Sequence, residues 1–368
     1  MFQHAPLEDW YRTRYFADSL DISGSGVADY SYRQLRDVAG LTLEQLDEII
    51  FHDNPTFGDE ANRRLIASRW GDGDWHKVIT SNGSNEALSL LMHAILKPGD
   101  EVVSLFPCYH CHDKIALHLG CTVKYWYLAF ERQYRPDFTQ LASLLSSKTK
   151  LVVVNFPHNP TGTSLTIAEM KLLVDMVDSV GAYLIWDAAF QDLQFQDPLP
   201  SIHQLYDKAI STNTFSKAYG FPGMRYGWCI VPPSLIRPIQ LYKDFTNLYV
   251  SPVIERLAGA VLQNLELFYQ PRYQQAAENR QLMLSWLAEH KAVLEWVVPY
   301  GGVTCFPRLR HLADTRVFCE QLFEQFQVLL VPGDCFGSPG HFRMGYGANT
   351  DVFRSGLARL TTGLQALV

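Results

Sequence analysis

Short apolar runs alternate with helix-like stretches along the middle of the chain, and this alternation limits the possible folds more than any other feature. Three runs predict buried strands, because each is short, β-branched or aromatic and bounded by turn residues: Glu101–Leu105, Leu151–Asn155 and Tyr183–Trp186. The helical patterns around them are Glu86–Leu96, Asp113–Leu119 and Ile167–Val180. The alternation predicts an α/β fold with a mostly parallel sheet covered on both faces.

The two ends of the chain differ from this middle part. Long helical patterns and short strand-like pieces follow Ser251: Ile254–Leu267, Tyr273–His290, Gly302–Phe306 and Val328–Val331. We therefore expect a large domain at 51–250 and a smaller α+β domain built from both termini. Residues 1–50 would supply a lid and part of the small domain, and residues 251–368 the rest of it.

The bulk composition excludes several classes of partner. A formal net charge of −7 over 368 residues, with no basic segment, argues against nucleic-acid binding. No stretch approaches the roughly 18 apolar residues of a membrane span, and the N-terminus has no apolar core of signal-peptide length. Seven cysteines, an odd number, fit free thiols in a reducing compartment. We expect a cytoplasmic protein without a membrane partner.

Cys108-Tyr109-His110-Cys111-His112 matches the spacing of c-type haem attachment. That chemistry needs an exported protein, and a zinc site would need further ligands. No metal site is predicted, although His110 or His112 could line a substrate pocket.

The segment Thr214–Lys217 places two hydroxyls just before a lysine, and Arg225 follows eight residues later. A lysine that forms a Schiff base needs a partly desolvated site, because only the unprotonated amine is a nucleophile. The hydroxyls of Thr214 and Ser216 and the guanidinium of Arg225 suit the phosphate dianion of a cofactor. The alternative is a surface lysine in a polar turn.

Two polar side chains follow buried strands. Asp187 comes directly after Tyr183–Trp186, and a carboxylate at the carboxyl end of a parallel strand points into the ligand crevice. There it would keep a cofactor's ring nitrogen protonated, unless it is an ordinary capping or loop aspartate. Asn159, in the turn Asn155–Gly162, would donate to the ring's phenolic oxygen, unless that turn is only a rigid loop.

Further candidates come from three other motifs. Gly83, Ser84 and Asn85 precede a helical pattern, where free backbone N–H groups form an anion site or simply a cap. Tyr109 could stack on a flat ring or be a half-buried structural tyrosine. Arg343 has the planar guanidinium that suits an α-carboxylate, and a surface arginine is its alternative.

In this order the motifs resemble fold-type I enzymes that use pyridoxal 5′-phosphate (PLP), the aspartate-aminotransferase-like class, over nearly the whole chain. The resemblance rests on the run His158–Gly162, on Asp187 and on the turn from Thr214 to Arg225. It implies that Lys217 holds PLP and shuttles protons, that Asp187 pairs with the pyridine nitrogen and that Asn159 binds the ring oxygen. By the same resemblance the phosphate is surrounded by Gly83, Ser84, Asn85, Thr214, Ser216 and Arg225, Tyr109 stacks on the ring, and Arg343 binds the substrate carboxylate.

Other motifs resemble the capreomycidine-synthase-like branch of that class, whose members cyclise hydroxylated arginines. These motifs are Ala5–Trp10, Arg14–Phe16, Asp21–Val27, Val152–Pro160, Trp186–Phe190, Ser216–Cys229 and Gly301–Arg308. Within the branch the sequence is most similar to the arginine cyclases of guanitoxin biosynthesis, which turn γ-hydroxy-L-arginine into L-enduracididine. The resemblance therefore implies a biosynthetic cyclase that removes water and adds a guanidine nitrogen within one molecule.

Two departures from ordinary aminotransferases put simple transamination in doubt. Phe190 stands where such enzymes usually carry a tyrosine, so Asn159 would bind the ring oxygen without help from a hydroxyl. The segment Phe51–Gly58 lacks the tyrosine that often reaches the neighbouring subunit's phosphate. The family resemblance still implies a homodimer with shared active sites, in which residues near Asn54 and Tyr249–Ser251 cross over.

The glycine-rich segment Ser23–Tyr30 is a candidate lid that keeps water from the reacting substrate, with an ordinary flexible loop as its alternative. Expected substrate contacts are Ser25, Gly26, Val27, Tyr30 and Phe190, and the unranked candidates for binding a guanidinium are Glu8, Asp29 and Asp192.

Three other functions remain open from the sequence. The substrate could be β-hydroxyarginine with capreomycidine as the product, or the enzyme could be a PLP-dependent aminotransferase of amino acids. A PLP-binding regulator would need a separate DNA-binding module, and the chain shows no basic recognition segment.

Overall fold

The computed structural model describes residues 4–368, and short elements come first in this part of the chain. They are α1 (Pro6–Arg12), β1 (Leu20–Asp21), α2 (Tyr32–Ala39) and α3 (Leu43–Asp47). Ser31 begins α2 with a capping box, because its side chain accepts from Gln34 N–H while the Gln34 side chain accepts from the Ser31 N–H. The short strand β1 does not join the central sheet.

A seven-stranded mixed sheet forms the centre of the molecule. Its strands are β2 (Val78–Ser81), β3 (Glu101–Phe106), β4 (Thr122–Tyr127), β5 (Thr149–Asn155), β6 (Tyr183–Asp187), β7 (Ala209–Thr214) and β8 (Gly227–Ile230). The order across the sheet is β2-β8-β7-β6-β5-β3-β4. Only β8 runs antiparallel to its neighbours β2 and β7, so the predicted mostly parallel sheet is confirmed.

Helices cover this sheet, and three of them confirm the helical patterns predicted at Glu86–Leu96, Asp113–Leu119 and Ile167–Val180. They are α4 (Glu60–Trp70), α5 (Ser84–Ile95), α6 (Lys114–His118), α7 (Phe138–Leu144), α8 (Ile167–Ser179) and α9 (Pro233–Lys243). In β5 every residue except Lys150 is buried, which explains its unbroken apolar run: both faces are covered by protein.

The C-terminal part consists of long helices and short strands. These are α10 (Pro252–Gln263), α11 (Leu265–Glu289), β9 (Leu294–Glu295), β10 (Thr304–Cys305), β11 (Arg308–Leu309), α12 (Arg316–Phe326), β12 (Val328–Leu329), β13 (Val331–Pro332), β14 (Phe342–Gly345) and α13 (Thr350–Leu367). The helical pattern predicted through Leu267 is broken at Asn264, whose backbone leaves the helical region with φ −119° and ψ 26°. Within residues 4–368 no helix is both long and apolar enough to traverse a bilayer.

Two relationships in this architecture position the site. The strands β5, β6 and β7 are in register at their carboxyl ends, where Asn155 lies opposite Asp187 and Asp187 opposite Thr212. The N-terminal strand β1 pairs in parallel with β12, and Trp10 Nε1 donates to the Leu330 carbonyl at 2.9 Å. The N-terminal segment is thus fixed beside the C-terminal elements, while the domain boundaries at residues 50 and 250 stay a prediction.

Candidate active site

A cavity of about 750 Å³ lies at the carboxyl ends of the central strands. This is where open α/β sheets bind ligands, because the loops that follow the strands diverge there. Its lining includes strand ends, the start of α5, α1 and the segment after β1: Asn155, Asp187, Thr214, Ser84, Asn85, Leu7, Glu8, Tyr11, Ser25, Gly26, Val27, Asp29, Tyr109, Asn159, Phe190, Ser216, Lys217, Arg225 and Arg343. The structure therefore brings together nearly all the residues that the sequence singles out.

Lys217 lies three residues beyond β7, and its amine faces the cavity. Its Nζ lies 3.1 Å from Ser25 Oγ. Burial, together with the nearby guanidinium of Arg343, lowers the pKa of Lys217 to about 8. A substantial fraction of the amine is therefore neutral near pH 8, which suits both nucleophilic attack and proton transfer.

Asp187 occupies the last position of β6 and is buried. Its Oδ2 lies 2.8 Å from Nε2 of His112, and its Oδ1 accepts from the backbone N–H of Ala189 at 3.1 Å. Asn155, at the same level on β5, donates from Nδ2 to the Asp187 carbonyl at 2.8 Å. These contacts fix the orientation of a buried carboxylate at the floor of the crevice.

An anion-binding corner lies at the start of α5. Gly83 has φ +81°, and a Cβ there would be 2.4 Å from Nη2 of Arg225, so only glycine allows the guanidinium this position. Thr214 Oγ1 and Ser216 Oγ are 2.9 Å apart, and Arg225 Nη1 donates to Ser216 Oγ at 3.5 Å. Two hydroxyls, one guanidinium and the free N–H groups of a 12-residue helix converge here, as a phosphate dianion requires.

Tyr109 connects this corner to the N-terminal helix. Its hydroxyl accepts from Asn85 Nδ2 at 2.9 Å and donates to Glu8 Oε1 at 3.1 Å. Burial raises the pKa of Tyr109 well above its usual range, so the hydroxyl stays protonated and remains a donor. The ring is thereby held in one orientation at the cavity wall.

Arg343, on β14, is a buried guanidinium with neutral partners. Its Nε donates to the Ser23 carbonyl at 3.1 Å, its Nη1 to Asn159 Oδ1 at 3.1 Å and its Nη2 to Tyr11 Oη at 2.6 Å. Only 1% of its surface is exposed, and no ion pair to it occurs among residues 4–368. A buried charge without a counter-ion favours binding of an anion, here the carboxylate of a substrate.

Four of the five expected substrate contacts lie in the segment after β1, and three of these four line the cavity. Ser25, Gly26 and Val27 line the cavity, as does Phe190. Tyr30 does not line it: its hydroxyl donates to the Phe268 carbonyl at 2.8 Å, and its ring stacks on Phe221. The expectation for Tyr30 is therefore wrong in this structure, because the chain has already turned away from the cavity.

Two of the three carboxylates considered for a guanidinium face the cavity. Glu8 and Asp29 line it. Burial raises the pKa of Asp29, although the positive charge of Arg272 acts in the opposite direction. Asp192 lies elsewhere and is already engaged, because Tyr219 Oη donates to it at 2.8 Å and Trp70 Nε1 at 3.1 Å. The expectation that Asp192 could bind the guanidinium is therefore corrected, because its carboxylate already has partners away from the cavity.

A protein-family model described as aminotransferase class I and II matches residues 26–360. The chain belongs to the class I and II aminotransferase family. Capreomycidine synthase of Streptomyces vinaceus is 40% identical over 363 residues, which are 98% of this chain and 93% of that protein. This member of the aminotransferase family is a PLP-dependent enzyme of the capreomycidine synthase and cyclase branch.

Solved structures show the same relationship. The PLP-dependent cyclase OrfR has a TM-score of 0.95 and 34% identity, and the match covers 100% of this chain and 98% of that one. A PLP-dependent aminotransferase from Streptococcus suis also has a TM-score of 0.95, with 25% identity and coverage of 100% and 99%. The architecture of this aminotransferase-family chain is thus shared by a cyclase and by an aminotransferase.

The residues present fit PLP, the cofactor of this family. The observation that carries this fit is the anion-binding corner, where the Arg225 guanidinium lies so close to Gly83 that a Cβ there would force it to shift. Asp187 would hold the pyridine nitrogen, Lys217 the aldehyde carbon, and Asn159 and Tyr109 the ring. These individual roles remain predictions based on position.

Sequence reasoning did not identify several functional neighbours. Asn155 could have been found, because it ends a predicted strand next to that of Asp187. The sequence offers His112 only as a pocket-lining residue of the Cys108–His112 motif, whose cysteines are buried and free, and not as the partner of Asp187. Tyr11 and Asp21, which also line the cavity, carry no local signal.

Proposed function

We propose that this enzyme is a PLP-dependent cyclase of hydroxy-L-arginine, and that it converts γ-hydroxy-L-arginine to L-enduracididine, the reaction of guanitoxin biosynthesis. The reaction removes water and closes a ring by addition of a guanidine nitrogen. The observation that carries the cyclase activity is the similarity of 98% of the chain to capreomycidine synthase, whereas the γ-hydroxylated substrate rests on the motifs that resemble the guanitoxin-pathway cyclases. The charges of the cavity agree with it, because the buried guanidinium of Arg343 and the carboxylates of Glu8, Asp21 and Asp29 line a single ligand space.

The substrate has a complementary charge pattern. Its α-carboxylate would pair with Arg343, whose buried guanidinium lacks a counter-ion within the described chain. Its own guanidinium would find carboxylates at Glu8, Asp21 and Asp29, which line the same cavity. Charge-assisted hydrogen bonds at both ends would fix one orientation of the substrate.

PLP, when bound, supplies an electron sink for the electron pair released at the substrate's Cα. Lys217 would accept the α-proton, since burial leaves part of its amine neutral. Asp187, oriented by His112, would keep a negative charge beside the ring nitrogen. Arg343 would hold the substrate so that its guanidine nitrogen reaches Cγ, and oriented intramolecular reactions reach effective molarities of ~10⁵ M or more.

The test is incubation of the PLP-loaded enzyme with γ-hydroxy-L-arginine, followed by mass spectrometry and NMR of the product. We expect loss of one water and the signals of a five-membered cyclic guanidine. Formation of only the keto acid would refute the cyclase.

Two alternatives can be distinguished with the same preparation. β-Hydroxy-L-arginine as the preferred substrate, with capreomycidine as the product, would move the reaction one carbon along the chain. The Streptococcus suis neighbour favours an aminotransferase, which would transfer the amino group of L-arginine to an added keto acid. Quantifying the new amino acid tests that activity directly.

The homodimer belongs to the same proposal. Segments 50–54 and 245–250 contact each other, with Asn54 Nδ2 donating to the Val250 carbonyl at 3.0 Å and Tyr249 Oη to Asp53 Oδ1 at 2.5 Å. In these segments Phe51 and Phe245 are 86% and 89% exposed. In the proposed dimer a second copy of the chain would cover these two exposed aromatic side chains.

Light scattering should give twice the monomer mass. The double variant Phe51→Asp with Phe245→Asp should lower it to the monomer mass, whereas Val317→Asp, on the exposed part of α12, should not. A monomeric wild-type enzyme would contradict the dimer.

A further inference from the structure

The segment from Ile22 to Tyr30 is fixed by backbone hydrogen bonds on two sides. On one side the Gly345 N–H donates to the Ile22 carbonyl at 2.8 Å. On the other side the Val27 N–H donates to the Lys217 carbonyl at 2.9 Å, and the Tyr30 N–H to the Gly220 carbonyl at 2.8 Å. The segment is therefore a wall that bridges β14 and the Lys217 turn.

Glycines allow the backbones to approach so closely. A Cβ at Gly345 would be 1.8 Å from the Gly24 carbonyl oxygen, and a Cβ at Gly347 would be 2.1 Å from that of Gly26. A Cβ at Gly26 itself would meet the Ser216 carbonyl oxygen at 3.0 Å. Because Gly26, Gly345 and Gly347 carry no side chain, the backbone can place the residue between Gly24 and Gly26 deep in the site.

That residue is Ser25. Its surface is 9% exposed, it lines the cavity, and its Oγ lies 3.1 Å from Lys217 Nζ. No other side-chain hydrogen bond to Nζ occurs in the part of the chain that the structure describes. A hydroxyl both donates and accepts, so Ser25 can receive a proton from Nζ while it gives up its own.

We propose that the Ser25 hydroxyl passes a proton from Lys217 to the hydroxyl that leaves the substrate. The inference rests on the proposed cyclisation of γ-hydroxy-L-arginine, which needs two C–H bonds broken before ring closure. After Lys217 has accepted the α-proton it is an ammonium and cannot accept a second proton. Transfer of that proton through Ser25 restores the neutral amine.

The step balances as follows. A proton moves from Nζ to Ser25 Oγ while the proton of Oγ moves to the γ-oxygen, so the Cγ–O bond breaks with both electrons on oxygen and water departs. The electrons of the Cβ–H bond form the Cβ–Cγ double bond, and the β-proton goes to the neutral Lys217. Ser25 ends the step as the same neutral hydroxyl.

The experiment compares the PLP-loaded wild type with Ser25→Ala and Ser25→Thr. Three quantities are measured: water loss from γ-hydroxy-L-arginine, exchange of the Cα hydrogen of L-arginine in deuterated water by NMR, and the dissociation constant of L-arginine by absorbance. L-Arginine has no leaving hydroxyl, so its exchange reports Lys217 alone.

Ser25→Ala should lose about 10²- to 10⁴-fold in water loss, the usual contribution of a proton donor. Its Cα exchange and its affinity for L-arginine should fall far less than its water loss, and recovered γ-hydroxy-L-arginine should carry deuterium at Cα. Ser25→Thr should retain water loss.

Water loss at the wild-type rate in Ser25→Ala would overturn the inference. So would an equal loss of Cα exchange, because the hydroxyl would then only position Lys217. If Ser25→Ala fails to fold or to bind PLP, the same measurements are made on Ser25→Thr and Ser25→Val. These two side chains have nearly the same shape, and only threonine keeps the hydroxyl that water loss is expected to need. A wild type that exchanges Cα hydrogen but never releases water refutes the proposed function itself, which separates the two failures.

Discussion

His112 Nε2 lies 2.8 Å from Oδ2 of Asp187, and both side chains are buried beneath the cavity. The two residues are 75 positions apart in the sequence. The pair gives the carboxylate one fixed orientation, since Oδ1 is held by the Ala189 N–H at the same time. One oxygen therefore cannot turn without breaking a contact of the other.

Replacing His112 with Ala should leave this buried carboxylate without its partner. Loss of one partner of a buried hydrogen bond costs about 1–3 kcal/mol, so we expect a lower free energy of unfolding and weaker PLP binding. Thermal unfolding and absorbance titration with PLP measure these effects. The exposed His311→Ala is the control, and equal behaviour of the two variants would show that the pair is unimportant.

The rate at which apo-enzyme incorporates PLP should depend on pH through Lys217. Below its pKa of about 8 the side chain is an ammonium and cannot attack, and above that value it is a neutral nucleophile. The rate should therefore rise with pH and level off above about 8. Stopped-flow absorbance measures it, with Lys217→Arg as the blank; a midpoint near the usual lysine value would contradict desolvation of this amine.

Arg343→Gln should selectively weaken ligands that carry a carboxylate. Truncating one partner of a buried charge pair costs about 2–5 kcal/mol in binding, so the dissociation constant of L-arginine should rise steeply. Agmatine, which has the guanidinium and an amine but no carboxylate, should bind the variant nearly as it binds the wild type. If both ligands are weakened alike, Arg343 does not bind the carboxylate.

Asp29→Asn should reduce the enzyme's preference for amino acids that carry a guanidinium over those that do not. Hydrogen bonds to charged groups contribute about 1.5–3 kcal/mol, so affinity for L-arginine should fall about 10- to 100-fold. L-Norvaline lacks the guanidinium and serves as the ligand control, and Asp37→Asn on α2 is the matched variant. Unchanged preference for L-arginine over L-norvaline would exclude Asp29 and leave Glu8 and Asp21.

Gly345→Ala should destabilise the fold, because its Cβ would lie 1.8 Å from the Gly24 carbonyl oxygen. Overpacking of this kind typically costs about 1–3 kcal/mol in the free energy of unfolding. Gly24→Ala is the matched control, since a Cβ there would meet no atom within 4 Å. Urea titration should separate the two variants, and equal midpoints would mean that the contact can relax.

The sequence predicted what local patterns encode. The strands β3, β5 and β6 were predicted within two residues of their bounds, and Lys217, Asp187 and the Gly83–Asn85 turn all line or border the cavity. Contacts between distant segments could not be predicted. Tyr11 reaches Arg343 across 332 positions, and nothing around either residue encodes their meeting. Tyr30 failed for the same reason, because the direction of a chain after a turn depends on its tertiary neighbours.

The first 29 residues contribute Glu8, Tyr11, Ser25 and Asp29 to the cavity, whereas the residues that would hold the cofactor lie between Gly83 and Arg225. The carboxylates expected to bind the substrate's guanidinium thus lie in a different stretch of the polypeptide from the residues that would hold the cofactor, and Arg343 adds the contact to the α-carboxylate. A different N-terminal stretch on the same sheet is therefore expected to change which side chain the enzyme accepts, while Lys217 and Asp187 keep their places.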